Sequence, residues 1–200
     1  MFNKDLQIEA WNVDFIGYID NPQHSKIEKL LVNHCLKIKS KTKSGGDNWI
    51  SKSTYNTVGT YNVINDKKFK SLNDWVINSV KEYSIKLRYK NNFSCKEAWF
   101  NIYKKNDYQE FHNHSEFTLS AIYFLKSSTG SAKTFFNFNP SPDFNRPDTD
   151  ETFVPTSNLS HYEPTPGRLL MFRSNILHCV ERQEKNDLRI SLAYNFKKNL

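Results

Sequence analysis

The sequence predicts a mainly β domain with helices. The expected fold is a jelly roll, or double-stranded β-helix, whose N-terminal helices pack on the major sheet. Three observations predict it. Apolar residues recur at helical spacing in two stretches of the first half, and from about residue 95 the period changes to two. The short strands that follow are rich in aromatic and β-branched residues. Turn signals separate them, the spacing of a sandwich or barrel. In this reading the 200 residues form one domain, with 1–94 as helical support and 95–200 as β-core. A chain of this length buries about 70% of its unfolded surface and needs neither disulfide nor metal merely to fold.

The first helix is expected over residues 25–39, where Ile27, Leu30, Leu31, His34, Cys35 and Ile38 recur at helical spacing. Ser25 and Glu28 have the spacing of a capping box. The stretch KSKTKSGGDNWISKS breaks structure around Gly45-Gly46. A second helix runs through Phe69, Leu72, Trp75, Val76, Val80, Tyr83 and Leu87, with Ser71 as its cap. In the first β-core strand, Trp99, Asn101 and Tyr103 share one face and Ala98, Phe100 and Ile102 the other, because side chains alternate along a strand. EFHNHSEFTLSAIYFLKSS, AKTFFNFN, GRLLMF, NILHCV and LRISLAYNF supply the remaining strands. Residues 139–160 are polar and proline-containing and read as a surface loop. Phe144, Arg146, Asp143, Asp148, Asp150 and Glu151 would border the site entrance from it.

Composition excludes several classes. An aromatic content of 14% argues against disorder. No apolar run approaches a membrane span, and MFNKDLQIEAW lacks the pattern of a secretory signal, so a cytoplasmic protein is expected. The net charge of +7 is spread along the chain, and only 6 of its 28 basic residues are Arg. A reader of nucleic acid clusters its charge and uses Arg at base edges, so nucleic acid is not the expected partner. Cys35, Cys95 and Cys179 are far apart and read as free thiols.

The residues able to do chemistry lie in the β-core. His112 and His114 are two apart, so on a strand both imidazoles face one metal ion. His178, in the apolar strand NILHCV, and Glu116, which shares their parity, are candidates for a third ligand. His24, His34 and His161 read as structural. In the last strand Leu188, Ile190, Leu192, Tyr194 and Phe196 form an apolar face, and Arg189, Ser191, Ala193 and Asn195 form the other. A half-exposed antiparallel strand carries such polar residues into water. Inside a jelly roll the same face points into the barrel, where a buried Arg requires an anionic partner. The guanidinium fork grips a carboxylate bidentately.

The order His112-Asn-His114, Tyr123, long loop, Pro-Gly turn, His178 and Arg189-Ile-Ser191 resembles the iron(II)- and 2-oxoglutarate-dependent oxygenase superfamily. A subgroup of small bacterial and phage oxygenases is more similar still. It is matched here by Asn101-Ile-Tyr103, Asp107-Tyr108, Ser120-Ala-Ile-Tyr123-Phe124, Pro164-Thr-Pro166-Gly167, Phe172 and Asn195, over about residues 95–196. The first ninety residues match loosely, through GGDNW and the two helices. The chain departs from the subgroup pattern at Ser115, where it has Pro, and at Ala121, where it has Gly.

The resemblance implies a non-haem dioxygenase using Fe(II), 2-oxoglutarate and O2. Such an enzyme hydroxylates a C–H bond of a small molecule or peptide and releases succinate and CO2. Arg189 and Ser191 would hold the far carboxylate of the cosubstrate, with Tyr123 and Asn101 adding hydrogen bonds. Two ligand sets stay open. His112, His114 and His178 form the set the subgroup pattern favours. His114, Glu116 and His178 restore the two-histidine, one-carboxylate triad that electrostatics favours. Two other readings stand beside this one: a cupin-like metal-binding jelly roll without 2-oxoglutarate, and a non-catalytic phage β-sandwich module.

Overall fold

Both helical patterns become helices, α1 (His24–Lys39) and α2 (Lys70–Lys86). The computed structural model describes residues 13–47, 49–138 and 158–199. The expected caps are not the ones used. Ser25 lies inside α1, whose N-cap is Gln23, and the preceding Asn21 side chain accepts the Gln23 N–H at 2.9 Å. Glu28 turns instead toward His24 and Lys126, at 3.6 and 3.8 Å. Ser71 lies inside α2, and the carboxylate of Asp66 accepts the Lys68 N–H at 2.8 Å ahead of that helix. Neither helix has a side-chain cap bond; the Asn21 and Asp66 side chains instead order the turn that leads into each helix, which spacing within the helix does not reveal.

Among the described residues, ten strands form two antiparallel sheets: β1 (Gly17–Asp20), β2 (Tyr55–Asn56), β3 (Phe93–Tyr103), β4 (Gln109–His112), β5 (Leu119–Lys126), β6 (Thr134–Asn137), β7 (Leu159–Tyr162), β8 (Arg168–Arg173), β9 (Leu177–Val180) and β10 (Arg189–Lys198). The larger sheet has the order β1-β8-β5-β10-β3-β2, and the smaller β4-β9-β6-β7. β1 and β2 were not anticipated. Both are short edge strands whose pairing comes from β8 and β3, not from a pattern of their own. Of the expected loop 139–160, residues 139–157 lie outside the described residues, including Phe144, Arg146 and the four acids. Leu159 and Ser160, read as its end, open β7.

The alternation in β3 and β10 sorts the core. Phe100, Ile102, Leu119, Ala121, Tyr123, Leu192, Tyr194 and Phe196 join Leu31, Cys35, Leu72, Val76 and Val80 of the helices in one buried cluster. Each fully buried large apolar side chain contributes about 1.5–3 kcal/mol, enough to pin the helices to that face. The opposite face of the same strands looks toward the smaller sheet. There Ile122, Phe124, Leu170 and Phe172 pack against Phe136 and Ile176. The two layers have the two-sheet arrangement of a double-stranded β-helix. Among the described residues, no helix is long and apolar enough to cross a membrane.

Candidate active site

The smaller sheet brings the histidines together. β4 and β9 pair so that His112 stands directly across from His178. His114 lies beyond the end of β4, and its N–H bonds to the Ser174 carbonyl at 2.8 Å. Ligand atoms of His112, His114 and His178 all lie within 4.8 Å of one another, so that small side-chain shifts would bring all three onto a single ion. The Nδ1 atoms of His112 and His178 donate to the carbonyls of Glu110 (2.8 Å) and Ile176 (3.0 Å). A carbonyl only accepts, so these bonds fix the tautomer and leave Nε2 of both rings with a free lone pair.

Burial keeps all three imidazoles neutral. It pushes His112 below its ordinary value, takes His114 down to about 4 with help from His112, and takes His178 well below. Phe136 and Phe172 pack on the His178 ring and exclude water from it. Neutral nitrogens with aligned lone pairs are what a divalent transition metal requires. Glu116 is not part of this cluster. It stands exposed in the turn after His114, because the strand has ended and the alternation that gave it the parity of His114 no longer applies.

A buried polar chain supports His114 from below. Ser120 and Asn195 face each other across β5 and β10. Ser120 Oγ donates to Asn195 Oδ1 at 2.8 Å and lies 2.9 Å from Ser174 Oγ, on the residue whose carbonyl holds His114. Ser174 has no motif signal of its own in the sequence.

Arg189 is fully buried, at 0% exposure. Its Nε donates to the Ala132 carbonyl at 2.9 Å and one terminal nitrogen to Thr134 Oγ1 at 3.0 Å. The other terminal nitrogen has a 3.5 Å contact with Ser191 Oγ, and the Tyr103 hydroxyl also interacts with the guanidinium. The rings of Tyr103 and Phe124 lie 4.6 and 5.4 Å from the guanidinium carbon. No carboxylate among the described residues lies within ion-pair distance. Glu181, the one acid that influences Arg189, accepts the Lys133 N–H instead. Burial draws the Arg189 value down, since a desolvated cation without an anion is unfavourable.

Arg189 and two of the histidines share one cavity, lined also by Trp49, Trp99, Asn101, Tyr103, Gln109, Ile122, Thr134, Val180, Ser191 and Ala193. In its wall Trp99 Nε1, Asn101 Oδ1 and Gln109 Oε1 are buried without a hydrogen-bond partner. A buried cation with no carboxylate partner among the described residues and the unpaired Trp99 N–H suit an anion beside the metal cluster, while the Asn101 and Gln109 amide oxygens can accept from a donor group of a ligand.

Tyr123 is a correction. It pairs with Leu192, whose side chain packs under the helices, so its ring takes the helix side of β5. There its hydroxyl lies 2.8 Å from His24 Nδ1 and its ring meets Trp75 edge-on. It cannot reach the cavity on the other face. Asn101, Arg189 and Ser191 do line the cavity. Trp49, Gln109 and Thr134 line it too, and none was singled out from the sequence. GGDNW carried a weak signal for Trp49, as a shared segment without an assigned role.

Residues 97–195 match the family described as "Putative 2OG-Fe(II) oxygenase". No curated protein matches the chain in sequence. Among solved structures, a prolyl-4-hydroxylase from Pseudomonas putida is similar at 13% identity and TM-score 0.61, over 91% of this chain and 92% of that one. A prolyl hydroxylase from Trichoplax adhaerens, in complex with a hypoxia inducible factor oxygen degradation domain peptide fragment, is similar at 12% identity and TM-score 0.65, over 91% and 83%. The chain spans about half (54%) of an oxidoreductase of the 2OG-Fe(II) oxygenase family from Burkholderia pseudomallei, at 12% identity, TM-score 0.47 and 68% of this chain. At these identities the likeness to solved structures concerns the fold. The matched segment is different in kind. It runs from the strand of Asn101 to the strand of Arg189 and takes in all three histidines, and on that match residues 97–195 belong to the 2OG-Fe(II) oxygenase family.

Proposed function

We propose that the protein is an Fe(II)- and 2-oxoglutarate-dependent dioxygenase that hydroxylates an unactivated C–H bond of a small molecule or peptide. The observation that carries this reading is the shared cavity. Two imidazoles of a clustered, neutral trio and a buried guanidinium without a carboxylate open onto one space. A metal-binding jelly roll without 2-oxoglutarate leaves that cation unanswered, and a non-catalytic module leaves both features without a role.

His112, His114 and His178 would hold the iron, the first two of them beside the Trp49 and Trp99 rings. When bound, iron(II) with 2-oxoglutarate supplies O2 activation, ending in succinate, CO2 and one oxygen atom inserted into the substrate. The chain's own residues do the rest. Arg189, with Thr134 and Ser191 beside it, grips the far carboxylate. The Trp99 N–H can donate to the remaining oxygens, and the Asn101 and Gln109 amide oxygens can accept from a hydroxyl or N–H of the substrate. The Ser120–Ser174–Asn195 chain holds the backbone of His114 in place. Phe136, Phe172, Ile122 and Val180 keep water from the metal side. Arg189 is the one formal charge on the protein wall of the cavity, which supports an uncharged reacting group on the substrate.

The test is anaerobic titration of the iron(II)-loaded protein with 2-oxoglutarate, following the weak visible metal-to-ligand charge-transfer band. A saturable band is expected. Iron-loaded, folded protein that develops none would overturn the assignment.

A further inference from the structure

Trp49 stands at the metal cluster without belonging to any strand. Its ring centre lies 6.5 Å from that of His112, tilted by 32°, and it forms part of the cavity wall. The segment carrying it is shaped at one end by two glycines. The Gly45 N–H donates to the Asn56 carbonyl at 2.9 Å, and the Asn56 amide returns a bond to the Gly45 carbonyl at 3.1 Å. A Cβ at Gly45 would fall 1.9 Å from the Val58 carbonyl oxygen. Gly46 has φ +68°, and a Cβ there would approach the Trp49 ring to 3.0 Å. Glycine is therefore required at both positions to fold the turn that delivers the indole.

At the other end the Glu110 carboxylate accepts the N–H of Ile50 at 2.8 Å and that of Ser51 at 3.3 Å. Thr54 Oγ1 then ties the chain to the Tyr108 carbonyl at 2.7 Å. Glu110 holds His112 through a different atom, its backbone carbonyl, so a side-chain substitution leaves that bond in place.

The cavity measures about 30 Å³, room for one or two water molecules. A molecule the size of 2-oxoglutarate enters only if part of the wall moves. The walls from β3, β9 and β10 cannot easily move, because each of these strands is hydrogen-bonded on both edges. Trp49 hangs from a loop secured to β4 by two bonds to one carboxylate.

We propose that the chain on either side of Trp49, anchored by Gly45 and Gly46 before it and by Ile50 and Ser51 after it, acts as a strap, that Trp49 is its substrate-contacting residue, and that Glu110 is the positioning residue that holds the strap shut. The indole closes the metal side of the cavity and gives an uncharged substrate group a flat apolar surface to rest on. The gating role rests on the cavity being the 2-oxoglutarate site. The strap and its latch do not.

Three measurements on full-length wild type, Glu110→Ala and Glu110→Gln test this, with thermal melts to establish that each is folded. Hydrogen exchange at the Ile50 and Ser51 amides is expected to rise about 10–100-fold in Glu110→Ala, from loss of two bonds to a charged acceptor. It should rise less in Glu110→Gln, whose amide oxygen still accepts one. Cobalt(II) at the histidines should quench tryptophan emission more in wild type than in Trp49→Phe, and Glu110→Ala should lose most of that difference. In anaerobic stopped flow, the rate at which 2-oxoglutarate binds iron(II)-loaded wild type should saturate with concentration, and the limiting rate should rise about tenfold or more in Glu110→Ala. Unchanged exchange and quenching in Glu110→Ala overturn the latch. Faster exchange with an unchanged entry rate overturns the gate. Wild type that binds iron but no 2-oxoglutarate overturns the proposed function, and the latch is then decided by exchange and quenching alone.

Discussion

Arg189→Met removes a buried cation and keeps an unbranched apolar stem in its place. The guanidinium makes two good hydrogen bonds, to the Ala132 carbonyl and Thr134 Oγ1, and lies 4.6 Å from the Tyr103 ring centre. Bonds from a charged donor contribute about 1.5–3 kcal/mol each, and a desolvated cation–π contact about 2 kcal/mol. Against them stands a desolvation cost of several kcal/mol for a buried ion that has no carboxylate partner. The opposing effects are of similar size, so the variant's unfolding free energy should lie within about 2 kcal/mol of wild type. Binding is different, because a ligand carboxylate pairs with this cation in a dry site. Truncating one partner of such a pair costs about 2–5 kcal/mol, a Kd raised from about 30-fold to several thousand-fold. The assay pairs calorimetric titration of 2-oxoglutarate on metal-loaded protein with thermal unfolding. At 100 times the wild-type Kd the ligand should stabilise wild type by about 2.7 kcal/mol and the variant by no more than about 0.9 kcal/mol. A variant that loses more than about 4 kcal/mol without ligand would show that Arg189 is chiefly structural. One that binds 2-oxoglutarate within about threefold of wild type, under 1 kcal/mol, would remove it from the site.

His178→Ala should weaken iron(II) binding by more than about 100-fold, since even outer partners of a ligand are worth 10–100-fold. Glu116→Ala, in an exposed turn, should leave iron binding unchanged, and loss of iron there would reinstate the carboxylate triad. Tyr123→Phe should cost about 1–3 kcal/mol in denaturant unfolding by leaving His24 Nδ1 without its partner, with 2-oxoglutarate affinity unaltered. Asp66→Asn should cost a similar amount, because Asp66 accepts from Tyr61 at 2.6 Å and pairs with His34 at 2.5 Å. Burial alone would raise the Asp66 carboxyl, but the bonds from Tyr61, His34 and the Lys68 N–H outweigh it and hold the group below its ordinary value. Its contribution is therefore complete above the unfolded carboxyl value near pH 4 and is lost as pH falls through the lower folded value. Acid unfolding curves of wild type and Asp66→Asn should converge below that range, and parallel curves would refute the assignment.

Much of the site was legible because a strand alternates. Period two alone separated Asn101, Arg189 and Ser191 from Phe100, Ile190 and Leu192, and the structure places these sets on opposite faces of one sheet. Alternation failed where regular structure ended. Glu116 has the right parity but sits past the end of β4, in a turn that carries it into solvent. It also left Tyr123 unassigned, because a strand with buried residues on both faces, such as LSAIYFL, does not announce which face meets the helices.

The amino-acid sequence by itself determined the two helices, most of the β-core strands that follow them, the two faces of β3 and β10, and the chemical types available for catalysis. These follow from contacts between near neighbours along the chain. Only the tertiary structure decided that His112 faces His178 across a pair of strands, that Tyr123 belongs to the helix side, and that Trp49 is carried onto the cluster by a glycine turn and the Glu110 carboxylate. Each depends on register or on a contact between residues some sixty or more positions apart. Such pairings are chosen by the packing of whole sheets and loops, and local periodicity holds no record of them.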